Sequence, residues 1–138
     1  MLRVSPDVAT AILWDHQRVT RTVVIVDDHA DFRAQAIELL QVAGYEVVGS
    51  CHDGRSALDA ISALRPDLVL LDVQLPDIDG FGVMAQVDTL ADGGPAVVLI
   101  STREAADYGG RVGRSGATGF ITKAELSAHS LARAIARR

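Results

Sequence analysis

Leu68-Val69-Leu70-Leu71-Asp72 runs directly into Val73-Gln74-Leu75-Pro76-Asp77-Ile78-Asp79-Gly80. Four apolar residues without alternation mark a strand covered on both faces, which is the situation of a parallel sheet between two helix layers. The Pro, Asp and Gly that follow mark a turn at its carboxyl end. Three further runs have the same shape. Val23-Val24-Ile25-Val26 ends at Asp27-Asp28, Val97-Val98-Leu99-Ile100 ends at Ser101, and Gly119-Phe120-Ile121-Thr122 ends at Lys123. In an open parallel sheet the carboxyl ends of the strands converge on one rim, where α/β proteins place their sites. Three carboxylates, a hydroxyl and an ammonium are therefore expected to meet there.

Working outward, strand-like runs fall near 23–27, 46–50, 68–72, 96–101 and 118–122, with helix-like segments between them. The first helix is expected near 31–43, with Phe32, Ala36, Leu39, Leu40 and Ala43 on one stripe and Gly44 as its stop. The second is expected near 54–64, capped by Asp53, striped by Ala57, Leu58, Ile61 and Leu64, and ended by Pro66. The third is expected near 80–91, with Phe81, Met84, Val87 and Leu90 as its stripe and Gly93-Gly94-Pro95 as the break. The fourth lies near 103–115 and the last near 124–137. Gly109, Gly110 and Gly113 sit inside the fourth, each costing about 0.5–1 kcal/mol relative to Ala, which predicts a soft or partly unwound segment. Regular alternation of strand and helix implies right-handed βαβ units. Residues 1–21 stand apart from this pattern; Asp7 to Trp14 could form a turn or two of helix, and the stretch reads as an amino-terminal extension of uncertain order, with the main domain over 22–138.

The 138 residues suffice for one domain. An apolar fraction of 49% with few aromatics argues for an aliphatic core and against disorder. A formal net charge of −5 gives no general attraction to nucleic acid or to an anionic membrane. Cys51 is the single cysteine, so neither an internal disulfide nor a cysteine metal pair can form. No run approaches the length of a membrane span and no signal-peptide pattern opens the chain, so a cytoplasmic location is the default expectation.

Crowded carboxylates repel, by roughly 4 kcal/mol per pair at 4 Å and an effective dielectric near 20. A bound Mg²⁺ offsets this, since it takes a few carboxylates, waters and phosphate oxygens rather than a full protein cage. The four histidines show no metal-ligand spacing in the sequence, and zinc has no ligand set. Asp72, at the end of the most apolar strand, is the nucleophile candidate: attack of its carboxylate on phosphorus forms an acyl phosphate. Lys123 would supply a point charge and Ser101 a hydroxyl to the phosphate oxygens. Each signal is weak alone, because an Asp at a strand end usually caps a helix and a Lys after a strand is usually solvated. All of them on strand ends in one order are strong together.

With these residues in place the chain closely resembles the receiver domains of two-component response regulators, over about residues 22–136. The matching stretches are Val23 to His29, Leu68 to Gly80, Val98 to Thr102 and Gly116 to Lys123. The resemblance implies a flavodoxin-like, doubly wound (β/α)5 fold with a five-stranded parallel sheet in the order 2-1-3-4-5. It implies that Asp72 accepts a phosphoryl group from a sensor histidine kinase or a histidine phosphotransfer protein. Mg²⁺ would be bound by Asp28, Asp72 and the backbone carbonyl of Gln74, with Asp27 acting through a water. Ser101 would be the switch hydroxyl, Phe120 the switch aromatic, and Gln74 and Arg103 the positions that tune the phosphoryl lifetime. A homodimer is compatible with the family, and direct nucleic-acid binding or membrane attachment is not expected.

Asp27-Asp28-His29 with Phe32-Arg33, and Gly44 to Gly49, resemble receivers of the LuxR/NarL type, which are often joined to a helix-turn-helix output. The chain ends at Arg138, about where the fifth helix should end, which favours a single-domain regulator over a receiver from a longer DNA-binding protein. Two departures stand out. Ala124 follows Lys123 where many receivers have Pro, so a trans bond is expected there. The glycines of the fourth helix lie on the face that usually changes on phosphorylation. Three other functions call on the same fold or the same residues. A phosphatase with an aspartyl-phosphate intermediate would carry an Asp where Gln74 stands. A dinucleotide-binding domain would show Gly-x-Gly-x-x-Gly after the first strand, which is absent. A partner-binding module that needs no phosphate is compatible with the same residues.

Overall fold

The computed structural model describes residues 21–90 and 94–136. Five parallel strands form one sheet in the order β2-β1-β3-β4-β5: β1 Thr22–Val26, β2 Glu46–Cys51, β3 Leu68–Asp72, β4 Ala96–Ser101 and β5 Gly119–Thr122. The expected order 2-1-3-4-5 is therefore the observed one, and the fold is flavodoxin-like. The expected segments 1–21 and Arg137-Arg138 fall almost wholly outside the described residues.

The helices are α1 Ala30–Val42, α2 Gly54–Leu64, α3 Gly80–Leu90, α4 Arg111–Arg114 and α5 Ala128–Ala136. Side chains alternate across the sheet, and the two faces bury two separate clusters. Val24, Val26, Val69, Leu71, Val97 and Leu99 face Ala57 and Ile61 of α2 and Val83, Met84 and Val87 of α3. Val23, Ile25, Leu68, Leu70, Val98 and Ile100 face Ala36 and Leu40 of α1 and Leu131 and Ala134 of α5. Burial on both sides explains why the strands show no polar alternation.

Two helix expectations are corrected. The segment near 103–115 is not one helix: a 3-10 turn, Ala105–Tyr108, is followed by Gly109 at φ +63° and then by the four-residue α4. Glycine adopts that left-handed conformation without the Cβ penalty, so the chain breaks there. The last helix starts later than 124, because Lys123–Glu125 form a separate 3-10 turn and Ser127 and Ser130 make the hydrogen bonds that open α5. No cis peptide bond occurs among the described residues. Asp53 caps α2 as expected, its Oδ1 accepting the Ser56 N–H at 2.8 Å.

The β3–α3 loop is fastened at both ends. Asp77 accepts the N–H groups of Gly54 (2.8 Å) and Arg55 (3.0 Å) at the amino terminus of α2. The Gly80 N–H donates to the Val73 carbonyl at 2.8 Å, and a Cβ on Gly80 would come within 2.6 Å of the Asp72 carbonyl oxygen. Glycine alone lets α3 start this close to the end of β3.

Candidate functional site

Every strand-end side chain singled out by the sequence reaches the same rim. The register pairs Val26 with Leu71, Asp72 with Ile100 and Ser101 with Thr122, which brings the ends of β1, β3, β4 and β5 level with one another. Asp27 is fully buried and Asp72 is 2% exposed, whereas Asp28 lies at the open edge. Lys123 Nζ lies 2.5 Å from Asp27 Oδ2 and 3.1 Å from Asp72 Oδ2. The other oxygens are held by backbone: Asp27 Oδ1 accepts the His29 N–H at 2.7 Å and Asp72 Oδ1 accepts the Gln74 N–H at 3.0 Å.

The electrostatics follow from burial. Loss of solvent pushes the Asp72 carboxyl up to about 6; the Gln74 N–H opposes this, the Asp27 charge adds to it, and Lys123 offsets part of it. For Lys123, burial favours the neutral amine, but its contact with Asp27 and the charges of Asp72 and Asp27 outweigh that and raise its pKa. The ammonium also sits 4.6 Å from the centre of the Phe32 ring, a cation–π contact.

Asp27, Asp28, Asp72 and His29 each offer a donor atom, all within 4.8 Å of one another. Among the described residues, the enclosed Asp27 Oδ2 has the Lys123 ammonium as its polar partner. Three carboxylates converging on one point, with a single ammonium to balance the two that are buried, fit a hard divalent cation.

Three participants were not legible in the sequence. His29 Nδ1 is 3.1 Å from Asp28 Oδ1 and 3.2 Å from Asp27 Oδ1, although the histidine spacing gave no metal signal. The Arg33 guanidinium donates to the Asp27 carbonyl at 2.6 Å and so anchors the β1–α1 turn from within α1. Tyr108 Oη lies 2.6 Å from Ser101 Oγ, which also accepts the Arg103 N–H at 3.0 Å. The Asp-Asp-His run with Arg four residues on was the available signal for the first two; nothing in the sequence pointed to Tyr108. Phe120 is half-buried with its ring 6.3 Å from that of Tyr108, while the side chains of Gln74 and Arg103 are exposed.

The family model for the response regulator receiver domain matches residues 23–136. The chain belongs to the response regulator receiver domain family. This receiver is 36% identical over 104 residues to the virulence-factor transcription regulator BvgA of Bordetella pertussis, covering 75% of the present chain and 49% of that protein. It is 33% identical over 104 residues to the Fimbriae Z protein of Salmonella typhimurium, covering 74% and 49%. The chain thus spans about half the length of the curated relatives it matches. Among solved structures, the signal receiver domain of NarL from Mycobacterium tuberculosis superposes with a TM-score of 0.73 at 34% identity, covering 83% of this chain and 96% of that one. The chemotaxis response regulator CheY4 of Vibrio cholerae superposes at 0.74 with 28% identity, covering 86% and 98%. The receiver assignment and its similarity to LuxR/NarL-type receivers agree with the reading of the motifs. No described helix is long and apolar enough to cross a membrane.

Proposed function

We propose that this receiver takes a phosphoryl group on Asp72 from the phosphohistidine of a sensor histidine kinase or histidine phosphotransfer protein, and that the modification alters a protein–protein contact. The observation that carries the reading is the single Lys123 ammonium shared by Asp27 and Asp72 inside an acidic rim. In the transfer the phosphorus–nitrogen bond breaks, a bond from phosphorus to an Asp72 carboxylate oxygen forms, and the imidazole departs with the electron pair and takes up a proton. Burial keeps competing water from Asp72, and Lys123 is placed to hold a phosphoryl oxygen.

Mg²⁺ would be held by Asp28, Asp72 and the Gln74 carbonyl, with Asp27 through a water, and when bound it supplies the positive charge that lets a phosphoryl group enter a carboxylate cluster. Ser101 would donate its hydroxyl to the phosphoryl group and Phe120 would turn inward, with Gln74 and Arg103 at the mouth setting how long the group lasts. The net charge of −5 supports protein partners, a second copy of the chain included, over nucleic acid or an anionic membrane surface. A kinase-fed reaction of this kind supports a cytoplasmic location. Residues 22–138 act as the working unit and 1–21 as an appendage to it. The names of the matched transcription regulators, BvgA among them, support a transcriptional output.

Incubation with acetyl phosphate and Mg²⁺ adds one phosphoryl mass to the wild-type chain and none to Asp72→Asn. Labelling that persists in Asp72→Asn overturns the assignment.

A further inference from the structure

Ser101 is completely buried, and its hydroxyl is already engaged. Its Oγ accepts the Arg103 N–H at 3.0 Å and lies 2.6 Å from Tyr108 Oη. Both contacts depend on the present side-chain direction: Oγ sits in one staggered position, and turning it to another, toward a phosphoryl group on Asp72, carries it out of reach of Tyr108 Oη. Tyr108 is itself held in place. Its ring meets Phe81 edge-on at 5.6 Å and 71°, and Phe120 at 6.3 Å and 62°. Phe81 follows Gly80, which backs onto the Asp72 carbonyl; Phe120 lies three residues before Lys123. The phenol is therefore fixed from both flanks of the site, at the end of a 3-10 turn that stops at Gly109.

We propose that Tyr108 is a positioning residue that latches the Ser101 hydroxyl in its resting direction, so that phosphorylation must break the Ser101–Tyr108 hydrogen bond before Ser101 can serve the phosphoryl group. The inference rests on the phosphoacceptor reading of Asp72. It places the resistance to switching in a bond outside the acidic rim, and it makes the loosely built segment after β4 the first to register the change. When the bond breaks, the phenolic hydroxyl loses its partner, and the ring contacts to Phe81 and Phe120 are free to rearrange.

Beryllofluoride, a stable mimic of the phosphoryl group, is titrated calorimetrically in saturating Mg²⁺ into the wild type, Tyr108→Phe, Ser101→Ala and the double variant. Tyr108→Phe keeps both ring contacts and removes only the hydroxyl. Its affinity rises about two- to tenfold, the value of one net hydrogen bond that favoured the unliganded arrangement. In the Ser101→Ala background the same substitution changes affinity by less than about twofold, because the bond it would remove is already gone. An unchanged or weaker affinity in Tyr108→Phe overturns the latch, as does an equal gain with and without Ser101. A wild-type chain that does not bind the mimic overturns the Asp72 reading and the latch with it, whereas wild-type binding with an unshifted Tyr108→Phe overturns the latch alone.

Discussion

The Lys123 ammonium lies 2.5 Å from Oδ2 of Asp27, a carboxylate that is completely buried. The two residues are 96 positions apart in the chain, at the ends of β1 and β5, which are not neighbours in the sheet. Their contact spans the rim and makes the acidic cluster tolerable, since removing one member of a buried ion pair leaves the other charge uncompensated.

Lys123→Met therefore destabilises the fold while preserving most of the side-chain stem. The expected loss is about 1–3 kcal/mol, below that of a fully sealed pair because the Lys123 side chain keeps 10% exposure. Urea unfolding in EDTA reads it as a lower midpoint with an unchanged slope. Addition of Mg²⁺ recovers part of the loss, by binding the native state alone. An unaltered midpoint in EDTA refutes the role given to the pair.

The Asp72 carboxyl produces a pH dependence of opposite sign to the usual acidic one. Its pKa is about 6 in the folded chain, raised chiefly by burial, against about 3.9 when unfolded. Between those values the native state holds the proton more tightly. The stabilisation is complete below about pH 4 and is lost as pH rises through 6. In EDTA, the stability of the wild type relative to Asp72→Asn should fall across this window by an amount on the order of 2 kcal/mol. A difference that stays flat from pH 4 to 7 counts against it.

Asp77 behaves in the opposite sense. The N–H of Gly54 does most to pull its carboxyl down to about 2, with further backbone N–H groups, that of Arg55 among them, adding to the effect. Its contribution is present above about pH 4 and disappears as pH falls toward 2. Asp77→Asn is less stable than the wild type at neutral pH and shows a shallower acid-unfolding curve between pH 4 and 2. Circular dichroism across that range checks both, and superimposable curves would remove Asp77 from the account.

Gly80→Ala tests how tightly α3 abuts the strand that ends in Asp72. The added methyl meets the Asp72 carbonyl oxygen at 2.6 Å and Val73 Cα at 2.8 Å, backbone atoms that cannot rotate away. Overpacking of this kind costs about 1–3 kcal/mol. Because the strain falls on Asp72 itself, acetyl phosphate labelling slows along with the loss of stability. A variant labelled at the wild-type rate shows that the site absorbs the displacement.

Much of this was legible in the linear chain. Uninterrupted apolar runs such as Leu68 to Leu71, closed by turn residues, fit strands buried on both faces, and their alternation with helix-like stripes implies a parallel sheet covered on both sides, while the strand order came from the resemblance. The strand-end identities Asp27, Asp28, Asp72, Ser101 and Lys123 could then be assigned to one rim from topology alone. The region after β4 was harder. Its glycines announced weakness, but the break at Gly109 between a 3-10 turn and α4 depends on one left-handed residue whose neighbours carry no periodic signal.

By itself, the order of apolar and polar residues determined the sheet, its two helix layers and the list of groups at its edge, because burial on two faces imposes a pattern that survives in one dimension. Which of those groups touch was decided only in three dimensions. That Lys123 spans Asp27 and Asp72, from 96 and 51 residues away, is set by the packing of distant strands; that His29 and Arg33 secure the first acidic pair and that Tyr108 holds Ser101 depends on side-chain directions within short loops, at distances of about 3 Å that the linear pattern does not encode.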